Sequence, residues 1–158
     1  ALRNSRVDIL EKFLKIPFSG SLPLCAAVSY SNIQGTKLLL QDPRTDVNHA
    51  EAGFSYDGSF TLMTPLQIAF ERNCDQILEL LVANENIDIN QTLPTKNSGQ
   101  QIPLFVVLCR YAESLALKML NHPKLDLSSI DPITGDTLLI TACRVTKKNF
   151  AIALLERN

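Results

Sequence analysis

The sequence contains no tryptophan, only two histidines, and four cysteines that form no C-x-x-C pair. It also lacks the H-E-x-x-H helix motif, the glycine-rich phosphate loop and the serine-centred elbow, so no familiar signature of metal, nucleotide or acyl-transfer chemistry is present. An excess of one charge is missing too: 15 Lys and Arg face 16 Asp and Glu, leaving a net charge of -1 and a pI near 6.1. At that balance phosphate neutralisation cannot dominate binding, and nucleic acid is not an expected partner. Long apolar runs are absent: Leu104 to Cys109 and Phe150 to Leu155 are six residues each. A membrane helix needs roughly 20 apolar residues, so no membrane insertion is expected.

What remains is a chain of 158 residues, 46% hydrophobic and 20% charged, which fits one packed folding unit. It starts at Ala1 without the layout of a signal peptide and stops just after a helical pattern, and is read as a fragment. Cys25, Cys109 and Cys143 lie inside apolar runs. Buried thiols in a reducing compartment are expected from this, and hence an intracellular, cytoplasmic location, with nucleus or host-cell cytoplasm as variants. Cys74 falls in a turn and is expected to be exposed, with no neighbour that would lower its pKa.

The chain repeats itself. With Leu24, Leu66, Leu104 and Leu139 as anchors, Ala27, Ala69, Val107 and Ala142 stand three positions on, and Leu39, Leu81, Met119 and Leu154 stand fifteen on. Asp46, Asp88 and Asp126 stand twenty-two on. The anchors are 42, 38 and 35 residues apart, so extra residues fall between units while offsets within a unit are constant. Pro23, Pro65 and Pro103 precede three anchors and mark helix starts, where a missing N–H costs nothing. Thr64 is the expected N-cap before Pro65. A small residue at offset three permits close helix approach, and offsets fourteen to sixteen form the apolar stripe of a second helix. Ser29–Gln34 and Glu71–Asp75 are the expected turns between helices, and Asp46-Val47-Asn48, Asp88-Ile89-Asn90 and Asp126-Leu127-Ser128 lead into loops. Val7 to Ile16 has the pattern of a further helix. The expected segments are therefore 1–20 (a capping helix or incomplete repeat), 21–62, 63–101, 102–135 and 136–158.

Met63-Thr64-Pro65-Leu66-Gln67-Ile68-Ala69 and Asp46-Val47-Asn48 resemble the T-P-L-H-x-A signature and the D-V-N step of ankyrin repeats, and Gly135 to Ala142 is a weaker match. Cys25, Gln67, Phe105 and Ile140 stand where the signature has His, Val107 stands where it has Ala, and no Gly marks the inter-helix turn. The resemblance implies an all-α ankyrin-repeat solenoid of stacked helix-turn-helix units with protruding loops. A HEAT-like or other helical solenoid is the alternative architecture. It further implies a non-catalytic protein–protein interaction module, a scaffold that binds a partner protein through the concave helix surface and the inter-repeat loops. The alternative is a targeting or substrate-recruitment segment of a larger enzyme, or of a bacterial effector acting inside host cells.

Two surface groups are the candidate partner-binding residues. Phe54, Tyr56 and Phe60 lie in the insertion Ala50–Leu62 and offer aromatic contact area, or else close a small core of their own. The insertion Thr92–Gln101 has no ring and reads as a solvated loop. Tyr30, Arg72, Arg110 and Arg144 share a position six residues from their anchors, or five for Arg144, and would form a row that suits an acidic or phosphorylated partner. Lys147 and Lys148 extend the positive charge and read as solvent-facing. His49 and His122 fall near unit ends, away from the cysteines of the first helices, so no thiol–imidazole pair is expected. No cofactor or metal is expected, and the chain is expected to be a monomer.

Overall fold

Three helix starts among the described residues are capped by side chains, those of Asn32, Thr64 and Thr137. A computed structural model describes residues 12, 23–54, 60–94, 101–111 and 113–157, which fall in two compact units divided between Ile87 and Asp88. The helix expected over 7–16 lies outside the described residues except for Lys12.

The first unit contains α1 (Leu24–Ser29), α2 (Ile33–Gln41), β1 (Glu51–Phe54), β2 (Phe60–Met63), α3 (Pro65–Glu71) and α4 (Asp75–Val82). α1 packs on α2 and α3 on α4, while α1 also packs on α3 and α2 on α4. Like therefore stacks on like. The second unit contains β3 (Thr92–Pro94), β4 (Gln101–Pro103), α5 (Leu104–Tyr111), α6 (Glu113–Leu120), α7 (Leu138–Arg144) and α8 (Lys148–Arg157), with α5 on α7 and α6 on α8. Most of the described chain is helical, in line with the all-α expectation, and its strands are short.

Thr64 caps α3 as the sequence predicts: its hydroxyl accepts from the Gln67 N–H at 3.3 Å, while Gln67 Oε1 accepts from the Thr64 N–H at 2.9 Å. This closed capping box gives Gln67 a local task where the resemblance has His. Asn32 caps α2, accepting from the Gly35 N–H at 2.9 Å, and Thr137 caps α7. The turns out of α1, α3 and α7 are built alike. Ser31, Asn73 and Thr146 adopt left-handed φ of 51°, 50° and 57°. The following amides of Asn32, Cys74 and Lys147 donate back to the carbonyls of Ala27, Ala69 and Ala142 at 2.9, 3.1 and 2.9 Å. This is the Schellman closure, which usually recruits Gly at its left-handed position. Its residue here is Ser, Asn or Thr.

Leu24, Leu66 and Leu104 are fully buried, as are Leu39, Leu81, Met119 and Leu154. The fourth anchor differs: Leu139 is half-buried, and its neighbour Leu138 is the core residue. Phe105 and Phe150 meet edge-to-face with centroids 5.7 Å apart in the core of the second unit.

The two insertions are not plain loops. β1 and β2 form an antiparallel ribbon in which Glu51 pairs with Met63 and Phe54 with Phe60, and β3 and β4 form another from Thr92–Pro103 to Pro94–Gln101. Met63 and Ile102 turn inward while Leu62 and Gln101 face water, the alternation that anchors one face of a ribbon. The Leu104 N–H donates to the Gln91 carbonyl at 2.7 Å and ties the base of the second ribbon to α5.

Candidate functional site

The residues at the ends of the first helices sort into two kinds. Tyr30 closes α1 with 83% of its surface exposed, and Arg72 closes α3, also exposed. Both belong to the first unit and stand at equivalent positions on stacked helices. Arg110 and Arg144, in the second unit, are committed elsewhere. The Arg110 guanidinium donates to the Asp131 carboxylate, which is fully buried. Arg144 forks onto Asp136, with Nε 2.8 Å from Oδ2 and Nη2 3.1 Å from Oδ1. The expected row is thus split by chemistry: two of its arginines hold the segment Ser128–Thr137 to α5 and α7. Phe54 and Phe60 are register partners at the end of the first ribbon, but their side chains, and all of Tyr56, lie outside the described residues.

The Asp-x-Asn steps serve as links between loops. Asp46, Asp88 and Asp126 each accept through Oδ1 from the amide two residues on, at 3.0, 3.0 and 2.9 Å. At the first two steps the third residue, an asparagine, reaches across to another loop, while at the third the Ser128 hydroxyl turns back to Asp126 Oδ1. The Asn48 amide donates to the Asn86 carbonyl at 2.8 Å in the first unit. In the second unit Asn90 donates to the Lys124 carbonyl at 2.8 Å and accepts from the Asp126 N–H at 2.9 Å.

The thiols are chemically quiet where they are buried. Burial, with the charge of Glu51 adding to it, pushes the Cys25 thiol up to about 12, and burial alone takes Cys109 to about 12. Cys25 donates to the carbonyls of His49 and Met63, so its contact with His49 is with backbone and involves no imidazole base. Cys74 is half-buried at the N-cap of α4. Cys143 corrects the expectation of burial: it is exposed. Thr141 and Ala142 take the inward arc of α7, and the next residue, turned by about 100°, faces out.

His122 is buried, and its Nδ1 accepts from the Lys124 N–H at 3.3 Å. Burial lowers its pKa, and the charges of Lys124 and Arg157 lower it further. Its carbonyl accepts from Arg157 Nη2 at 3.0 Å, fastening the end of α8. Beside it an open groove of ≈ 440 Å³ runs between α6 and α8, lined by Leu117, Leu120, Asn121, Ala153, Glu156 and Arg157. Among the described residues no group of three or more His, Cys, Asp or Glu is placed to hold a metal ion, and no helix is long and apolar enough to cross a membrane.

Sequence reasoning missed the roles of Asp131 and Asp136. The signal available was Asp131-Pro132-Ile133-Thr134-Gly135-Asp136, a turn-forming segment with a carboxylate at each end. Comparison with protein-family models finds no match, and comparison with curated proteins finds none.

Proposed function

We propose that this chain is an ankyrin-type repeat domain working as a non-catalytic protein–protein interaction module. The observation that carries the reading is the recurrence of one helix pair, closed in three of its four instances by the same left-handed turn and stacked, within each unit, first helix on first and second on second. A pair of this kind cannot bury its apolar side alone, so stacking yields a rigid frame whose helix ends and loop tips stay available for contact. Rigidity lowers the entropy lost on association. Tyr30 and Arg72 are the contact residues supported best, since both are exposed and neither carries the fold. Arg110 and Arg144 leave the contact set, and with them most of the case for an acidic partner. A reducing, intracellular setting suits the four free cysteines.

The test is capture of partner proteins from lysate by the intact chain and by two folded variants, Tyr30→Ala/Arg72→Glu and Phe54→Ala/Tyr56→Ala/Phe60→Ala. Loss of specific capture in at least one variant is expected. Equal capture by both, or no specific capture by the parent chain, overturns the reading.

A further inference from the structure

The second helices α2, α4 and α6 run out into the same turn. Asp42, Asn84 and His122 stand eighteen residues past the anchors Leu24, Leu66 and Leu104. Their amides donate to the carbonyls of Leu39, Leu81 and Met119 at 3.1, 3.0 and 2.8 Å, and their own carbonyls accept from Thr45, Ile87 and Leu125 at 3.0, 3.1 and 3.2 Å. Each side chain then closes the turn by accepting from the amide two residues on. Arg44 donates to Asp42 Oδ1 at 3.0 Å, Asn86 to Asn84 Oδ1 at 2.9 Å, and Lys124 to His122 Nδ1 at 3.3 Å.

In two of these turns the residue so held is also the anchorage of a neighbouring loop. The Asn86 carbonyl accepts from the Asn48 carboxamide, and the Lys124 carbonyl from that of Asn90, both at 2.8 Å. The side chain at the turn therefore supports the fastener between loops. Of the three, His122 alone can lose its acceptor near neutral pH. Asn84 takes up no proton there, and hydrogen bonds from Arg44 hold the Asp42 carboxyl down at about 2. Neutral imidazole accepts at Nδ1 with its hydrogen on Nε2, whereas imidazolium carries a hydrogen on both nitrogens and sets a donor against the Lys124 donor. Burial opposes that charge, and the positive charges of Lys124, in the same loop, and Arg157, on α8, oppose it further. The other charged residues on the surrounding elements are Lys118 on α6, Asp88 and Asp126 at the loop steps, and Glu156 on α8. Arg157 Nη2 donates to the His122 carbonyl at 3.0 Å, so the new charge also faces the group that fastens the end of α8.

We propose that protonation of His122 opens the fastener between Asn90 and Lys124, a proton-operated release confined to these loops and the end of α8. The response is independent of whether the chain binds a partner. The core of the second unit stays closed, because Phe105, Leu108, Met119 and Phe150, buried within it, have no group that titrates. The matching turns of the first unit, built on Asp42 and Asn84, do not respond.

The experiment is an NMR titration of the intact chain from about pH 7.5 to about pH 5, following the His122 ring, the Lys124 amide and the Asn90 carboxamide. All three are expected to share one midpoint below 6.5. Exchange of the Asn90 carboxamide hydrogens, corrected for the pH dependence of a free amide, is expected to quicken about tenfold per pH unit between 6.5 and that midpoint, as uptake of one proton requires. The Asn86 amide and the signals of Phe105 and Phe150 are expected to stay unchanged. His122→Asn places a carboxamide oxygen where Nδ1 stands, keeps the turn and cannot titrate, so its Lys124 and Asn90 signals are expected to be flat across the range. A ring midpoint at or above 6.5, ring titration without change at Asn90, an equal change at Asn86, collapse of the core signals at the same midpoint, or a pH response retained in His122→Asn overturns the proposal. If His122→Asn fails to fold, the parent chain decides alone, since its ring and the Asn90 carboxamide either share a midpoint or do not.

Discussion

Arg110 and Arg144 are the same residue type at nearly the same place on stacked helices, yet burial of their partners separates them energetically. Asp131 is fully buried, so Arg110→Ala strands a carboxylate away from water and is expected to cost about 3–5 kcal/mol in urea unfolding. Arg144 is largely exposed, and Arg144→Ala is expected to cost about 0–1 kcal/mol. Equal losses would mean that Asp131 is hydrated. Neither role is legible locally, because an arginine near a helix end looks solvated until a carboxylate, 21 residues away for Arg110 and 8 for Arg144, is brought to it.

His122 adds a pH dependence whose sign follows from its environment. Its folded pKa lies below the ordinary 6.5, so the unfolded chain binds more protons in the interval between the two values. Stability therefore rises with pH across that interval and is lost as pH falls from 6.5 through the folded value. Thermal unfolding between pH 5 and 7 is expected to show a smaller acid-side decrease in His122→Gln than in the parent chain. Parallel profiles would show that another group governs acid sensitivity.

At the scale of elements, the inter-helix turns contain a removable cost. A β-branched residue in the left-handed region is strained, so Thr146→Gly is expected to stabilise the fold by roughly 0.5–1.5 kcal/mol, read from the shift in the urea midpoint at constant slope. Core anchors behave in the opposite way: Leu81→Ala is expected to cost about 2–5 kcal/mol, and Leu139→Ala clearly less because Leu139 is half-buried. The anchors at 24, 66 and 104 and their partners fifteen residues on were legible because helical periodicity is a local property of sequence. The ribbons were not. Glu51-Ala52-Gly53-Phe54 carries little strand character, so the Asp57-Gly58 pair in the sequence between it and Phe60–Met63 had no clear strand on its first side to mark it as a hairpin signal. The turn geometry itself was half legible: its position showed in the polar gaps, but without glycine its left-handed residue did not.

For the whole molecule, balanced charge sets an expectation about association. With a net charge of -1, and with Arg110 and Arg144 held by carboxylates, fluorescence anisotropy with labelled duplex DNA at low salt is expected to show no saturable binding. Saturable, salt-steep binding would require a basic surface that these ion pairs do not leave.

Asn48 and Asn90 each tie one loop to a carbonyl 38 or 34 residues further along the chain, using an amide hydrogen that only an intact carboxamide supplies. Spontaneous hydrolysis of that group to aspartate replaces a donor with an acceptor, and leaves the facing carbonyl opposite a negative charge. Chemical ageing at either position therefore unfastens neighbouring loops one at a time, with the helices still folded.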